Sequence, residues 1–491
     1  MTNLFFDNLK DLSWKDLPWN DIRKHVFKLQ TAIYNAMLNK ELGILHSLQE
    51  LFLKDYSVRL LSLYIVVNHQ DVKKKINSRN FSISYFKNQL LEANRIEISS
   101  IDSLILWDQK NNFKSKNVSA KLLFTLLVDL SKQVIVKMVL EPQWEANFFH
   151  HIYGFRPGRS HHDALEELYT NLHNEEQVIA NINLCKSFLT MDNFKLLKMI
   201  NAHPIIEKKI QEWLEQGLIK EYVYQSLSVD RHIFDTPKGV ILAPLLINIA
   251  LNEMLLIINS NIIKHPSQLN KTNIICYGPH FLIMSQSRFC IQQSIEIIQV
   301  WLQYSGMSLS SRHFDVKFIR NGFNFLNYYI GYCHSKNKNS LFNIVPSTQA
   351  IQLLNHGNRE IIQSLKSGPI KILIKHLRSR IIDWGNAYAT YGSKQAFLNI
   401  DKVLFSQLRA AILRRHPNKS KSWIKQKYFP SNTTYYFQKK YYHASWILTD
   451  TSSLAQEFLP KIQWIRRKHY IKVLDKKSVY DEDSQYWKER L

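Results

Sequence analysis

The sequence predicts an α+β fold, with a mixed core of helices and short strands followed by a more helical C-terminal part. Short apolar runs typical of strands alternate with helical patterns between residues 178 and 284, whereas the pattern after Ser335 is almost wholly helical. Of the 491 residues, 45% are hydrophobic and 12% aromatic. The chain is therefore long enough and apolar enough for two or three domains with full cores.

Helical spacing is clearest near the N-terminus, where apolar residues recur every three or four positions over residues 22–38. The same spacing predicts further helices at residues 45–66, 122–145, 194–217 and 244–258. Short apolar runs predict a strand at residues 178–184 and a hairpin near residues 274–284, while the polar stretch 68–116 predicts loops. Turn signals between the C-terminal helices are Gly368-Pro369, His416-Pro417 and Phe429-Pro430.

Positive charge is the strongest compositional signal. Sixty-four Lys and Arg against 40 Asp and Glu give a formal charge of +24. Residues 361–491 hold 25 Lys and Arg against nine Asp and Glu, a net of +16, so about two thirds of the excess lies in the last quarter. A folded basic surface attracts polyanions, and nucleic acid and an anionic membrane are the two classes of partner to separate.

The sequence argues against a membrane, a disulfide framework or a zinc site. Its longest apolar runs, residues 122–128 and 240–250, are far shorter than the roughly 20 residues that span a bilayer. The four cysteines form no CxxC pair and have no histidine at zinc-finger spacing. Asp7 and Asp11 precede the first arginine, Arg23, which is unlike a signal peptide or an Arg-rich transit peptide. We therefore expect no membrane partner.

Several segments carry a more specific pattern. Leu-Glu-Pro-Gln-Trp-Glu at residues 140–145 precedes Tyr-Gly-Phe-Arg-Pro-Gly-Arg-Ser at residues 153–160. Further segments in the same order are residues 13–61, 236–249, 322–326, 380–388 and 408–429. Together they resemble the maturases encoded by group II introns, a family of reverse-transcriptase-like proteins, and the last two resemble the family's domain X.

The resemblance implies reverse-transcriptase fingers and palm followed by a helical thumb and domain X. It divides the chain into an N-terminal helical extension (1–67), fingers and palm (68–335), thumb and domain X (336–455) and a basic C-terminal segment (456–491). Residues 466–487 resemble the part that leads to an endonuclease in this family. Because no paired cysteines or HNH-type motif follow, we expect no DNA endonuclease activity.

Polymerisation in this family requires carboxylates that hold two magnesium ions. Asn183 stands where the resemblance places the first aspartate, and Pro279 and His280 replace the two aspartates of a Tyr-Ala-Asp-Asp hairpin. An amide carries no charge, proline offers no ligand, and histidine is a poor partner for hard magnesium. We expect no metal site, no cofactor and no catalytic residues, with His280 as a simple turn residue.

Two nearby aspartates, Asp163 and Asp192, match positions that are not metal ligands in the family, and we expect Asp163 to cap a helix or pair locally. Gln133 matches a position of the fingers region where contact with a nucleotide is doubtful.

The expected RNA-binding residues are cations that can neutralise phosphates. Arg156 and Arg159 lie beside Gly158. Their guanidinium groups either form paired hydrogen bonds with phosphates or form structural salt bridges. The remaining candidates are Arg378, Arg380, Arg414, Arg415, Lys419, Lys421, Lys425, Lys427, Arg466, Arg467 and Lys468. A solvated basic face without a ligand remains the alternative for residues 414–427.

Aromatic residues alternate with these cations. Trp423, Tyr428 and Phe429 are candidates for stacking on unpaired bases. Trp384, Tyr388 and Trp423 stand at helical spacing, however, which fits a hydrophobic core equally well.

These expectations describe a splicing factor that binds group II intron RNA and stabilises its active fold. A residual RNA-directed DNA polymerase and a general RNA chaperone stay open as alternatives, as do a homodimer and other splicing factors as partners. Richness in Lys, Asn, Ile and Phe, together with the absent polymerase and endonuclease motifs, resembles maturases kept in organelles. This favours a plastid, with the mitochondrion as the alternative.

Overall fold

The computed structural model divides the chain into two compact units, which are described separately. Its described residues are 9, 12–78, 81–97, 118–172, 175–226, 240–263, 272–308, 314–334, 340–391, 394–450, 457–467, 470–474 and 476–490. Unit 1 comprises residues 1–172, 178–316 and 472–491, and unit 2 comprises residues 173–177 and 317–471. These units do not coincide with the segments predicted from the sequence, because residues 472–491 return to unit 1.

The N-terminal half of unit 1 is helical. Its helices are α1 (Trp19–Leu38), α2 (Leu42–Lys54), α3 (Tyr56–Asn68), α4 (Gln70–Ser78), α5 (Ile83–Ala93), α6 (Val118–Glu145) and α7 (His161–Asn171). The long helix α6 packs against α1 and α3 and forms the centre of this layer. Helices predicted at residues 22–38 and 122–145 are thereby confirmed.

Two expectations for this half were wrong. The helix predicted at residues 45–66 is divided at Asp55, whose backbone is extended and whose carboxylate accepts hydrogen bonds from the amides of Ser57 and Val58. Asp55 is therefore an N-cap that ends one helix and begins the next. Part of the stretch 68–116, which was expected to form loops, folds into α4 and α5, and residues 98–116 lie outside the described residues.

The second half of unit 1 is built around an antiparallel sheet. Its strands are β1 (Val178–Asn183), β2 (Asn273–Tyr277), β3 (His280–Ser285) and β4 (Phe314–Phe318), in the order β2-β3-β1-β4. The surrounding helices are α8 (Asn193–Ile200), α9 (Pro204–Glu215), α10 (Leu218–Ser226), α11 (Ala243–Ile263) and α12 (Arg288–Tyr304). The hairpin and the strand β1 agree with the sequence.

The helix predicted at residues 194–217 is two helices. Asn201 adopts a left-handed conformation, with φ of 45°, which ends α8. Pro204 then occupies the first position of α9, where its missing N–H costs nothing.

Helix α11 is long and apolar enough to cross a membrane by length and composition. Of the window Ala243–Asn261, 72% is buried within the protein. A mostly buried core helix can be as long and as apolar as a membrane span, so this feature is weak evidence for a membrane.

Unit 2 contains a three-stranded sheet and a group of helices. The strands β5 (Phe323–Phe325), β6 (Tyr328–His334) and β7 (Ser340–Pro346) pair in chain order. The helices are α13 (Thr348–Ser364), α14 (Ile370–Tyr388), α15 (Lys394–Arg415) and α16 (Lys421–Tyr428). Each of the three predicted turns, at 368–369, 416–417 and 429–430, lies directly at a helix end.

The expectation of an almost wholly helical part after Ser335 was wrong. Besides β7, unit 2 contains the pairs β8 (Thr433–Phe437) with β9 (Lys440–Ala444) and β10 (Thr449–Asp450) with β11 (Glu457–Phe458). The turn between β8 and β9 is formed by Gln438 and Lys439, with φ of 46° and 61°. Such a turn normally carries Asn or Gly, so the sequence lacked the usual signal for a hairpin.

Within unit 1, residues 472–490 pack on the segment that carries Gly158 and Asp163. Both carboxylate oxygens of Asp163 lie 2.7 Å from the guanidinium of Arg490, and one also accepts a hydrogen bond from the amide of Val473. Asp163 also completes a capping box with Ser160, as expected from the sequence. A Cβ atom on Gly158, whose φ is +69°, would meet the ring of Trp487 at 2.7 Å, so only glycine fits there.

We expect Arg490→Ala to lower the free energy of unfolding by about 3 kcal/mol, because it leaves the fully buried Asp163 carboxylate without its cation. The measurement is urea unfolding of the full chain. Lys488→Ala, which removes an exposed cation from the same short helix, Ser484–Arg490, should change stability by less than about 0.5 kcal/mol. Equal effects of the two variants would contradict a structural role for the Arg490 pair.

Candidate RNA interface

The structure brings together the three positions that the resemblance assigns to metal ligands. Asn183 at the end of β1 lies directly opposite His280 at the start of β3, and the amide of Leu184 donates to the carbonyl oxygen of Pro279 at 2.9 Å. The turn between β2 and β3 needs Gly278, whose φ is +57°. The strand pairing therefore places Asn183 and His280, with Pro279 beside them, at one end of the hairpin.

The chemistry at this hairpin differs from that of a carboxylate cluster. The side-chain oxygen of Asn183 accepts a hydrogen bond from the amide of Cys185 at 3.0 Å, which is a local turn contact. Burial lowers the pKa of His280 to about 4, so the imidazole is neutral at pH 7. In the described part of the chain, no group of three or more His, Cys, Asp or Glu residues is arranged to hold a metal ion.

The loop at residues 153–160 packs beside this hairpin. The backbone of Tyr153 donates to Cys276 at 2.8 Å, and Asn248 donates to the carbonyl oxygen of Gly154 at 2.7 Å. A Cβ atom on Gly154 would lie 2.5 Å from the backbone nitrogen of Gly278. The glycine is thus required by the close approach of two backbones.

Arg156 and Arg159 in this loop are bonded within the protein. The Arg156 guanidinium forms a two-pronged ion pair with Glu145, at 2.7 and 2.9 Å, and also donates to the carbonyl of Ile152. Arg159 donates to the carbonyl of His150 at 2.8 Å, and burial lowers its pKa to about 10. This geometry favours the structural salt bridge over the phosphate contact for Arg156.

Unit 2 presents a different kind of basic surface, which we call the 414–427 face. It comprises the end of α15, the connecting turn and α16. Arg414, Lys419, Lys421 and Lys427 are exposed there, while Arg415 and Lys425 are half-buried. No acidic residue occurs between residues 402 and 449, so nothing on this stretch of chain offsets the positive charge.

The aromatic residues around this face differ in exposure. Trp384 and Tyr388 are buried, in agreement with the core alternative, and Tyr428 and Phe429, which were candidates for base stacking, are buried as well. Trp423 is half-buried, and the ammonium groups of Lys419 and Lys427 lie 5.4 and 4.7 Å from its ring centre. Cations therefore stand directly beside the one partly accessible ring of this group.

Three family models match the chain in order. They are the N-terminal domain of reverse transcriptase over residues 14–79, reverse transcriptase (RNA-dependent DNA polymerase) over residues 124–330, and the group II intron, maturase-specific domain over residues 351–429. The third model covers the 414–427 face. The chain belongs to the group II intron maturases.

Two relatives agree with this assignment. The maturase is 21% identical over 383 residues to Maturase-like protein 1 of Euglena gracilis, which covers 75% of this chain and 76% of that protein. It is 32% identical over 126 residues to an uncharacterized 91 kDa protein in cob intron of Schizosaccharomyces pombe. That second match covers 25% of the maturase but only 15% of the longer relative.

The other predicted cations of the maturase fall into two groups. Arg378 donates to the carbonyl of Phe458 at 3.2 Å, and Arg380 donates to that of Leu353 at 3.3 Å, so both pack inside unit 2. Arg466 and Arg467 are exposed, although Arg467 also donates to the carbonyl of Thr390. Lys468 lies outside the described residues.

Sequence reasoning missed one exposed aromatic of the maturase. Trp446 follows β9 with φ of +67°, and 47% of it is exposed. It lines a cleft together with residues of α15 and α16. Neither the hairpin that carries it nor its backbone conformation had a sequence signal.

Gln133, for which a nucleotide contact was doubtful, is buried. Its side-chain oxygen accepts a hydrogen bond from the amide of Ile241 at 3.0 Å, and its nitrogen donates to Asp129. It therefore holds the segment that leads into α11.

We expect His280→Gln to reduce the loss of stability on acidification. Unfolded histidine takes up a proton below about pH 6.5, whereas His280 in the fold does so only near pH 4, so the wild type loses stability as pH falls through this window. The variant has no such histidine to protonate. Between pH 7 and pH 4.5 its free energy of unfolding should therefore fall less than that of the wild type, by on the order of 2 kcal/mol.

The measurement is urea unfolding at pH 7 and pH 4.5. The control His46→Gln changes an exposed histidine of α2. On acidification from pH 7 to pH 4.5 it should lose as much stability as the wild type does. An identical pH dependence for His280→Gln and wild type would contradict an imidazole that the fold keeps neutral.

Proposed function

We propose that this maturase is an RNA-binding splicing factor that stabilises the active fold of group II intron RNA and has lost reverse-transcriptase activity. The observation that carries the proposal is the 414–427 face, a surface inside the maturase-specific domain that presents four exposed cations and contains no acidic residue of its own. Cations beside a partly accessible indole are the combination that RNA sites favour. The catalytic groups of splicing then belong to the RNA.

The protein contributes through differential binding. A ligand shifts a conformational equilibrium only as far as it binds one state more tightly than the other. The cations of the 414–427 face are grouped on one helix end, one turn and one short helix, and they match phosphates that the folded intron brings close together. Binding therefore favours the folded intron over misfolded forms.

The hairpin supports the loss of polymerase activity. Asn183, Pro279 and His280 stand together at the positions of the expected carboxylates, and none of them carries negative charge at neutral pH. Two magnesium ions in this place would repel each other without anionic ligands to offset the repulsion.

We infer that the protein acts in an organelle. The S. pombe relative is named as a protein in the cob intron, and the loss of the expected polymerase aspartates from this chain resembles maturases kept in organelles. We propose the plastid as the compartment, with the mitochondrion as the alternative.

Replacing Arg414, Lys419 and Lys427 by alanine should weaken binding to the intron RNA and flatten its salt dependence. Each lost phosphate contact lowers the slope of log affinity against log salt by about 0.7–0.9, so three contacts lower it by about 2 to 3. The intron is first identified by crosslinking the protein to RNA in its native compartment. Affinity is then measured by filter binding over a salt series.

The matched control removes three exposed lysines of unit 1, Lys198, Lys208 and Lys220, and should keep the affinity within about twofold. In cells that lack the protein, wild type and the control should restore splicing of the crosslinked intron, and the triple variant should not. Unchanged splicing of every intron after loss of the protein would overturn the maturase function and favour a general RNA chaperone.

Primer extension on an RNA template should give no product above background with magnesium or manganese. The reason is the absence of negative charge at Asn183, Pro279 and His280. An active reverse transcriptase serves as the positive control. Robust extension by the wild type that disappears in Asn183→Ala would contradict the loss of polymerase activity.

A further inference from the structure

Unit 2 contains a cleft of about 730 Å³ between α15, α16 and the segment after β9. This volume lies within the range of about 300–1,000 Å³ that ligand sites occupy. It adjoins the 414–427 face, because Lys421 and Lys425 line it. The proposed function uses that face but gives the cleft no role.

The floor of the cleft is apolar and aromatic. Phe405 of α15, Phe429 and Trp446 lie together, with ring centres 5.4 Å apart for the first two and 5.7 Å apart for Phe405 and Trp446. Phe429 is 2% exposed, whereas Trp446 is 47% exposed. An indole that is half open to solvent inside a concave apolar site offers a stacking surface for a flat ring.

The rim of the cleft is basic. Its cations are Lys402, Arg409, Lys421, Lys425 and Lys461. The ammonium of Lys425 lies 4.7 Å from the ring centre of Trp446, so charge and stacking surface are adjacent. One acidic residue, Asp401, faces these five cations among the lining residues.

The carboxylate of Asp401 holds two of the segments that line the cleft together. Its two carboxylate oxygens accept hydrogen bonds from the amides of Ile462 and Gln463, at 2.9 and 3.3 Å. These bonds tie the short 3₁₀ turn Ile462–Trp464 to α15, and with it the neighbouring Lys461. Two of the segments that line the cleft are therefore connected by hydrogen bonds.

We propose that this cleft takes an unpaired base of the bound RNA, which stacks on Trp446 while the flanking phosphates contact the rim cations. The proposal rests on the proposed RNA-binding function and names the feature of the RNA that unit 2 selects. The outside of a paired RNA helix displays phosphates and hydroxyls, and these groups cannot stack on an apolar aromatic floor. A base extruded from a loop or bulge matches both the floor and the rim.

The test compares a single-stranded RNA of about 12 nucleotides with a blunt-ended duplex of the same strand and its complement, which has no loop and no unpaired base. Trp446→Ala should weaken binding of the single strand roughly tenfold, because a stacked base is lost, and should leave binding of the duplex unchanged. For Trp446→Ala, the slope of log affinity against log salt should equal that of the wild type, because no cation is removed. Quenching of 2-aminopurine in the single strand should disappear in the same variant.

Three further variants separate the loss of stacking from a folding defect, from the loss of a cation and from the loss of an unrelated aromatic ring. Trp446→Phe keeps an aromatic ring and should retain most of the affinity for the single strand. Lys402→Ala should lower the salt slope by about one contact. Phe289→Ala, which removes an exposed aromatic of unit 1, should change neither affinity nor slope.

Two outcomes would overturn the cleft proposal. One is an equal effect of Trp446→Ala, or no effect, on binding of the single strand and of the blunt-ended duplex. The other is tight binding of adenosine monophosphate that depends on Trp446 but leaves RNA affinity unchanged, which would make the cleft a free-nucleotide site. If the 414–427 triple variant loses intron binding while Trp446→Ala does not, the cleft proposal fails and the proposed function stands.

Discussion

Two buried ion pairs hold the loop at residues 153–160 of unit 1. Arg156 with Glu145 ties the loop to α6, and Arg490 with Asp163 ties its C-terminal side to the end of the chain. A lone charge in such a place costs several kcal/mol, so these four residues must be brought together for unit 1 to fold. The loop then lies against the β2–β3 turn, where the backbones approach so closely that only glycine fits.

The same constraint separates the positive charge of the chain into two classes. Arg156 is buried against a carboxylate and Arg380 is half-buried against a carbonyl oxygen, so both are bonded within the fold. The cations of the 414–427 face have no acidic neighbour in sequence and remain in water. The net charge of +24 therefore overstates the binding surface, because only the exposed cations are available to a polyanion.

Sequence patterns predicted most long helices, the central hairpin and the family of this protein. They failed where a local cap decided the outcome: Asp55 divides one predicted helix, and Asn201 with Pro204 divides another. They also failed for β8 and β9, because Gln438 and Lys439 form a turn without the usual residues. For the site, residue type identified cations but could not tell the buried Arg156 from the exposed Arg414, since that distinction depends on the distant partner Glu145.

The family's most specific segment is therefore informative about scaffold rather than chemistry. Gly154 and Gly158 are required by the approach of Gly278 and Trp487, and neither contact involves a metal ligand. These packing constraints persist whatever residues occupy positions 183, 279 and 280. A strong match at residues 153–160 is thus compatible with either an active or an inactive polymerase. Residues exposed to solvent, such as Lys427 and Trp446, are free of such constraints, and the evidence for RNA recognition has to come from them.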